Sequence, residues 1–140
     1  MTIVIRGARE SDRDVLENLF RRVRQKTFRK RPPGVFKIGD YTVSTEGEIV
    51  WVALKNNAIV GFVSIYLPHF IHHLFVDPCA QKQGVGALLL KKAEENLKRP
   101  MELKIALDNK GVCRFYQKQG WVEISLHDQA PEPYLLYRKY

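Results

Sequence analysis

The sequence places two glycines, Gly84 and Gly86, directly after a short polar turn. An apolar segment over residues 70–76 precedes the turn, and apolar residues at helical spacing follow from Val85. This order predicts a strand, a glycine-bearing loop and the start of a helix. The first turn of a helix has backbone N–H groups without partners, and glycine lets an anion come close to them. The segment can therefore bind a phosphate group, and Lys82 adds a positive charge beside it.

The glycine spacing matches neither of two common nucleotide-binding fingerprints. Leu89 stands where the dinucleotide fingerprint requires its third glycine, and Ala87 follows Gly86 where a P-loop requires lysine. A glycine-rich helix entry that binds no ligand is the alternative, and the glycines alone do not decide between the two.

Hydrophobic periodicity predicts the elements that must position this loop. We predict strands over residues 2–6, 48–55, 58–66, 70–76, 101–107, 121–126 and 134–140. We predict helices from a cap at Ser11 or Asp12 to about residue 26, over 84–99 and over 108–119, with a short helix within 35–41. This order implies an α/β protein with one mixed sheet and helices packed on its faces.

The length and composition are typical of one globular domain, and we expect a single domain over residues 1–140. Hydrophobic residues make up 45% of the chain and charged residues 27%. The longest apolar run, residues 58–67, is too short to span a bilayer, and no secretory signal precedes the first strand. Cys79 and Cys113 match no metal-binding or disulfide spacing. We therefore expect a cytoplasmic protein with reduced thiols, no metal and no membrane contact.

The net charge of +8 is concentrated near the N-terminus. Residues 1–34 hold ten lysines and arginines against four acidic residues, and Arg21–Arg31 holds seven basic residues and no acid. Such a segment can meet nucleic acid, an anionic lipid surface, an acidic protein or a phosphorylated ligand, or it can be an ordinary solvated surface.

Two motifs resemble those of the GNAT acyl-CoA N-acetyltransferases. Residues Gln81–Gly86 are similar to the family's Gln/Arg-x-x-Gly-x-Gly/Ala motif. Residues Asn109–Trp121 resemble its Asn…Phe-Tyr…Gly-Phe signature, at the expected distance and on the expected element. The order of elements resembles that of the family along nearly the whole chain. The resemblance implies a central, mixed and mostly antiparallel sheet with one splayed pair of strands and helices on both faces.

The resemblance also implies that acetyl-CoA is the co-substrate. Backbone N–H groups of the loop would hold its pyrophosphate, and the strand around Leu74 and Val76 would bond its pantetheine arm. An N–H near Val76 would polarise the thioester carbonyl as negative charge develops there. The cofactor-binding residues implied in this way are Leu74, Phe75, Val76, Gln81, Lys82, Gln83, Gly84, Val85, Gly86, Ala87, Asn109, Phe115 and Tyr116.

Tyr116 matches the family position that often donates a proton to the departing thiolate, and a phenol can act as a general acid. The alternative is a core tyrosine whose ring packs beside Phe115. For Asn109, contact with the cofactor arm and a plain helix cap are the two alternatives.

The sequence departs from the family pattern at the position of the general base. Many members carry a glutamate on the strand before the phosphate loop, and Phe70 occupies that position here. An amine with a pKa near ~10.4 must lose a proton before it attacks, and an imidazole with a pKa near ~6.5 can accept that proton directly or through water. His72 is our first candidate. The weaker candidates are His69, His73, Glu46, Glu48 and water, and histidines with a structural role are the alternative.

Strict alternation along residues 70–76 predicts that the two central histidines point to opposite faces of the sheet. Phe70, His72, Leu74 and Val76 would share one face, and Ile71, His73 and Phe75 the other. The same alternation argues against a metal site formed by His69, His72 and His73.

The activity that the resemblance implies is transfer of an acetyl group from acetyl-CoA to a primary amine of a small molecule or protein, by direct attack of the amine. A sensor of the same fold that binds acyl-CoA without turnover is the alternative, because the usual glutamate is absent.

Nucleic acid ranks last as a partner, since the sequence has no base-reading motif. The acceptor amine and homodimer formation stay open. We expect the acceptor to enter across the sheet from the cofactor, with Arg21–Arg31 near the entrance to attract an anionic substrate or the CoA phosphates.

Overall fold

The computed structural model describes residues 2–140, and in this range the chain forms a seven-stranded sheet. The strands are β1 (Ile3–Gly7), β2 (Ile49–Lys55), β3 (Ala58–Tyr66), β4 (Phe70–Val76), β5 (Met101–Ala106), β6 (Val122–His127) and β7 (Tyr134–Lys139). They lie in the order β1-β2-β3-β4-β5-β7-β6. Neighbouring strands are antiparallel except for the parallel pair of β4 and β5. The mixed, mostly antiparallel sheet that the sequence predicts is therefore present.

Helices pack on both faces of the sheet. They are α1 (Arg13–Thr27), α2 (Asp40–Ser44), α3 (Val85–Glu95) and α4 (Cys113–Lys118). On one face, Phe20 of α1 and Tyr41 of α2 pack edge-on against Phe62 of β3. On the other face, Leu89 of α3 and Tyr116 of α4 join a larger apolar core. No helix between residues 2 and 140 is both long enough and apolar enough to cross a bilayer.

The apolar stripes of the two long helices differ slightly from the predicted ones. On α1, helical spacing predicts one apolar face of Val15, Leu16, Leu19, Phe20 and Val23. Leu16, Leu19, Phe20 and Val23 are buried, and Glu17 is buried with them. Val15 was expected on the same face, but it is 49% exposed because it lies at the edge of the stripe. On α3, helical spacing predicts one face of Val85, Leu88, Leu89, Ala93 and Leu97. Leu88 is instead 42% exposed, and Leu90 is buried. The buried stripe of α3 is therefore rotated towards Leu90 from the predicted one.

Two predicted helix boundaries are wrong for local reasons. Helix α3 ends at Glu95, short of the predicted end, because Asn96 leaves the helical conformation and its side chain donates to the carbonyl oxygen of Lys92 at 2.9 Å. The short second helix, expected within residues 35–41, is α2 instead. Gly39 directly precedes α2 with a φ of 106°, so the chain cannot enter the helix earlier.

Candidate functional site

A cleft opens in the middle of the sheet between β4 and β5. The two strands pair only at the first two residues of β4, Phe70 and Ile71, whereas the other neighbouring strands pair at five or more positions. The cleft has a volume of about 980 Å3, and residues 72–75 of β4 and 104–106 of β5 are among those that line it. The separation leaves room for an extended chain beside β4, as the resemblance to a fold with splayed strands implies.

Short-range hydrogen bonds hold the loop between β4 and α3. Asp77 accepts a hydrogen bond from the N–H of Cys79 at 3.1 Å, and the Gln81 amide donates to the carbonyl oxygen of Val76 at 3.1 Å. Gly84 has a φ of 82° and is the N-cap of α3. Because glycine has no side chain with which to cap the helix, the N–H groups of the first turn are left for an anion.

The predicted cofactor-binding residues lie along the cleft and the loop. Leu74, Phe75, Asn109 and Tyr116 line the cleft. Gln81, Lys82, Gln83 and Gly84 lie in the loop after Val76, and Val85, Gly86 and Ala87 form the first turn of α3. The Val85 side chain is buried in the core, so only its backbone can face a ligand. A Cβ atom at Gly86 would lie 3.4 Å from the ring of Phe115, which shows how closely α4 approaches the start of α3.

The segment before α4 differs from the prediction. We expected a helix from Asp108 or Asn109 to Gln119, but Leu107–Val112 is a 3₁₀ segment in which Asn109 has a non-helical φ of −128°. Asn109 is therefore not the cap of α4. It lines the cleft, which is the position that contact with a cofactor arm requires.

Tyr116 belongs both to the core and to the wall of the cleft. It is 8% exposed, and its ring centroid lies 5.1 Å from that of Phe115 and 6.2 Å from that of Trp121. Burial raises the pKa of Tyr116 above its ordinary value. A phenol, with an ordinary pKa near ~10, already carries its proton at neutral pH, so Tyr116 has a proton to donate, although burial makes it a weaker acid.

A β-bulge in β4 changes which way its two central histidines point. His73 is paired with Ser64 and Ile71 with Ile65, so His72 is an extra residue in the ladder. The rings of His72 and His73 consequently stack on one another, with centroids 3.8 Å apart. The predicted alternation is therefore wrong: Ile71, Leu74 and Val76 contact the core on the α3 side, while Phe75 packs on the α1 side.

His72 is held by a buried carboxylate. Its Nδ1 lies 2.5 Å from Oε2 of Glu48, the residue directly before β2. The Glu48 side chain is 0% exposed, and the His72 side chain is 30% exposed. Within residues 2–140, the second carboxylate oxygen of Glu48, Oε1, has no hydrogen-bond partner. A carboxylate accepts hydrogen bonds, so Nδ1 carries the proton and Nε2 of His72 is left as the acceptor.

His73 lies deeper than His72. Its Nε2 is 2.6 Å from the Ser44 hydroxyl, and its ring centroid lies 4.9 Å from that of Phe20. Burial, followed by the nearby positive charges of His72 and Arg24, lowers the pKa of His73 to about 3. His73 is therefore a neutral ring at physiological pH and a poor proton acceptor.

The other base candidates lie elsewhere. Nε2 of His69 is 3.4 Å from the carboxylate of Glu102, which also pairs with Arg138. In the part of the chain that the structure describes, neither His69 nor Glu46 lines the cleft. Between residues 2 and 140, no group of three or more His, Cys, Asp or Glu side chains is arranged to hold a metal ion.

Several basic residues of the Arg21–Arg31 segment form ion pairs. Arg24 pairs with Asp40 at 3.1 Å and lies over the ring of Phe20, and Arg31 pairs with Asp108 at 2.7 Å. Arg24, Arg31 and Asp40 line the cleft, so the charges of its wall are paired there. The remaining exposed cations of the segment are Lys26, Arg29 and Lys30, with Arg22 paired to Asp77.

Comparison with known proteins decides the family. A sequence model described as the acetyltransferase (GNAT) family matches residues 13–121, which is more than half of the chain. The chain belongs to the acetyltransferase (GNAT) family. The β4–β5 cleft and the loop that leads into α3 are thus the parts of a GNAT domain that the two sequence motifs indicated.

Relatives within the GNAT family carry N-acetyltransferase names. The peptidyl-lysine N-acetyltransferase YiaC of Escherichia coli K12 is 31% identical over 85 residues, which cover 59% of this chain and 58% of that protein. The matched part spans less than two thirds of the length of each of four curated relatives.

Solved structures of the family share the fold. A GCN5-related N-acetyltransferase from Rhodopseudomonas palustris superposes with a TM-score of 0.83 at 16% identity, covering 99% of this chain and 96% of that one. The PaiA N-acetyltransferase of Thermoplasma acidophilum, solved in complex with coenzyme A, has a TM-score of 0.81 at 18% identity and full coverage of both chains. The predicted GNAT fold is confirmed.

Sequence reasoning missed how several of these residues act together. Glu48 is one of the predicted candidate bases, but its side chain is buried against His72. No sequence signal marks Ser44, whose hydroxyl is hydrogen-bonded to His73. No local sequence pattern connects Ser44 and Glu48 with the two histidines, which lie far from them in the chain. The bulge in β4 brings both imidazoles beside these two residues.

Proposed function

We propose that this chain is an acetyl-CoA-dependent N-acetyltransferase that transfers the acetyl group to a primary amine of a small molecule or protein by direct attack. Residues 1–140 form one domain with this activity. The observation that carries the proposal is the parting of β4 and β5 after Ile71. It creates one cleft that both His72 and Tyr116 line. The loop before α3 directly follows β4, which forms one wall of that cleft.

The loop and the open side of β4 suit the two halves of coenzyme A. Acidic phosphates fit the uncapped first turn of α3, where Gly84 and Lys82 permit close approach and add positive charge. A cavity of about 570 Å3, lined in part by Gln83 and Ala87, adjoins the same loop and offers further room. The pantetheine arm fits the gap beside residues 74–76 as an added strand. The structure of PaiA in complex with coenzyme A supports this assignment of the co-substrate.

Two side chains of the cleft suit the proton transfers of the reaction. Coenzyme A supplies the thioester, whose C–S bond breaks as the amine nitrogen bonds to the acetyl carbon. Nε2 of His72 accepts the proton that the amine loses. Tyr116, which is protonated at neutral pH as an ordinary phenol is, donates a proton to the departing thiolate. Tyr116 regains a proton from the nitrogen, which loses its second proton as the amide forms, and His72 releases the first proton to water. An ammonium substrate thus releases one proton per cycle, and both side chains return to their starting states.

The acceptor side of the cleft is formed by the α1–α2 region. Phe28, Phe36 and Val43 line it, together with the Arg24–Asp40 ion pair. These walls suit an amine carried on a partly apolar chain, such as a lysine side chain or a small aliphatic amine. The name of the relative YiaC, a peptidyl-lysine N-acetyltransferase, supports a primary amine of this kind.

Thiol release from acetyl-CoA over a panel of primary amines, including lysine peptides, tests the proposal. We expect turnover with at least one amine. Tyr116→Phe should lower kcat by ~10- to 100-fold and leave coenzyme A affinity unchanged, because it removes only the proton donor. If coenzyme A raises the melting temperature but no amine gives turnover, the chain is an acyl-CoA sensor and the proposed activity is wrong.

A further inference from the structure

Glu48 carries a charge in a place where charge is costly. Its side chain is 0% exposed, and one of its two oxygens has no partner among the described residues. A buried carboxylate with an unpaired oxygen opposes folding, and most native proteins satisfy such groups. The bond to His72 is the one hydrogen bond that the structure gives this carboxylate within residues 2–140. A role in chemistry explains why the fold keeps it.

We propose that Glu48 is a positioning residue for His72 in the transfer reaction. Its carboxylate accepts the Nδ1–H bond, which fixes the tautomer that presents Nε2 to the amine. The same carboxylate stabilises the imidazolium that forms when His72 takes the proton. This inference rests on the proposed function, since it assumes that an amine is deprotonated at His72.

The surroundings of His72 place one acidic partner and two aromatic rings beside it. Three groups face it: Glu48 from the segment before β2, Tyr66 of β3 with its ring centroid 5.2 Å away, and His73 of β4 at 3.8 Å. Arg24 of α1 acts on His73 from the other side. Burial keeps the pKa of His73 low and its ring neutral, so His72 and His73 are not positively charged at the same time. Only His72 has both an anionic partner and partial exposure to the cleft.

The Ser44 hydroxyl completes this arrangement. It lies 2.6 Å from Nε2 of His73, and this hydrogen bond joins the hydroxyl to one edge of a neutral ring. The ring of His73 is thereby fixed against Phe20 and offers a flat, uncharged surface to His72. The orientation of His72 is thus set by a hydrogen bond at one edge and by ring stacking on one face.

Glu48→Gln tests the proposal, because glutamine keeps the volume and removes the charge. An amide can donate to Nδ1 and favour the wrong tautomer, so we expect kcat to fall by ~100-fold or more, with the KM for acetyl-CoA unchanged. Glu95→Gln, at an exposed position on α3, is the matched control and should match the wild type.

Two further measurements separate positioning from a purely structural role. In a His72→Gln background, Glu48→Gln should have almost no additional effect on kcat, because a positioning residue acts through its partner. The unfolding midpoint of Glu48→Gln should be equal to or above that of the wild type, since a buried charge has been removed. Glu48→Asp, which keeps the charge but withdraws it by one methylene, should also lose activity.

The outcomes are distinguishable. If the wild type shows turnover, the proposed function stands. In that case, an unchanged kcat in Glu48→Gln would overturn the inference about Glu48, as would losses in kcat that add in the double variant. A wild type without turnover on any amine would remove the proposed function itself. Loss of activity that tracks loss of folded protein in both Glu48 variants would assign Glu48 a structural role instead.

Discussion

Acidification should destabilise the protein through His73, whose ring contacts Phe20 of α1 and Phe62 of β3. The pKa of His73 falls from an ordinary value near ~6.5 to about 3, because burial and two nearby positive groups disfavour the charged ring. Between these two values the unfolded chain binds a proton at this position and the folded chain does not. The free energy of unfolding therefore falls as the pH falls through this window.

The size of the effect follows from this difference in proton binding. Between pH ~7 and pH ~5, His73 alone should reduce the free energy of unfolding by ~2 kcal/mol, at up to ~1.4 kcal/mol per pH unit. The figure depends on the unfolded pKa and hardly on the folded one, since any folded pKa well below 5 gives the same loss. It is a large share of the ~5–15 kcal/mol that stabilises a typical domain.

Urea unfolding at the two pH values measures the loss, with His73→Phe as the comparison. Phenylalanine keeps an aromatic ring at this position but cannot bind a proton. We expect the wild type to lose ~2 kcal/mol more than the variant between pH ~7 and pH ~5. Parallel losses in the two proteins would refute the reasoning, as would an NMR titration in which the His73 ring of the folded protein takes up its proton near pH ~6.5.

Two other predictions follow from the packing of β4 and from the basic segment. Gly61→Ala should lower the free energy of unfolding by ~1–3 kcal/mol in urea, because its Cβ would lie 2.8 Å from the carbonyl oxygen of Phe75. Gly7→Ala, which has open space around its Cβ, is the control and should not destabilise the protein. Equal effects of the two substitutions would contradict this prediction. Replacing Arg29–Arg31 with glutamines should raise the KM of one anionic substrate or of acetyl-CoA at low salt, and this KM should then depend less on salt. Unchanged kinetics across a salt series would exclude electrostatic attraction by this segment.

The parts of the fold that depend on local sequence were predictable. Strands β3 and β4 have the predicted bounds, because turn residues and Pro68 delimit apolar runs there. The loop before α3 was also predictable, since Gly84 with its positive φ directly follows the polar turn. The family assignment follows from the same local motifs, and the match over residues 13–121 confirms it.

The geometry around the histidines was not predictable, because it depends on pairing between strands. The bulge at His72 arises from the register of β4 against Ser64 and Ile65 of β3, and nothing in the run 70–76 marks it. Strict alternation therefore separated two rings that the structure stacks. The partnership of His72 with Glu48 joins residues 24 positions apart and is likewise set by the sheet.

The basic segment shows the same limit in electrostatic terms. Its charge was visible in the sequence, but its partners were not, because Asp108 lies 77 positions from Arg31 and Asp77 lies 55 from Arg22. These pairs tie the segment to the loops around the cleft. They also leave fewer unpaired cations for an anionic substrate than the count over Arg21–Arg31 implied.

The central claim is that the backbone amide groups at the start of α3 and the gap beside β4 together bind acetyl-CoA. Calorimetric titration of the purified chain with coenzyme A and acetyl-CoA tests this claim most directly. We expect saturable binding of both compounds, with one molecule per cleft. The absence of measurable affinity for either compound would contradict the account.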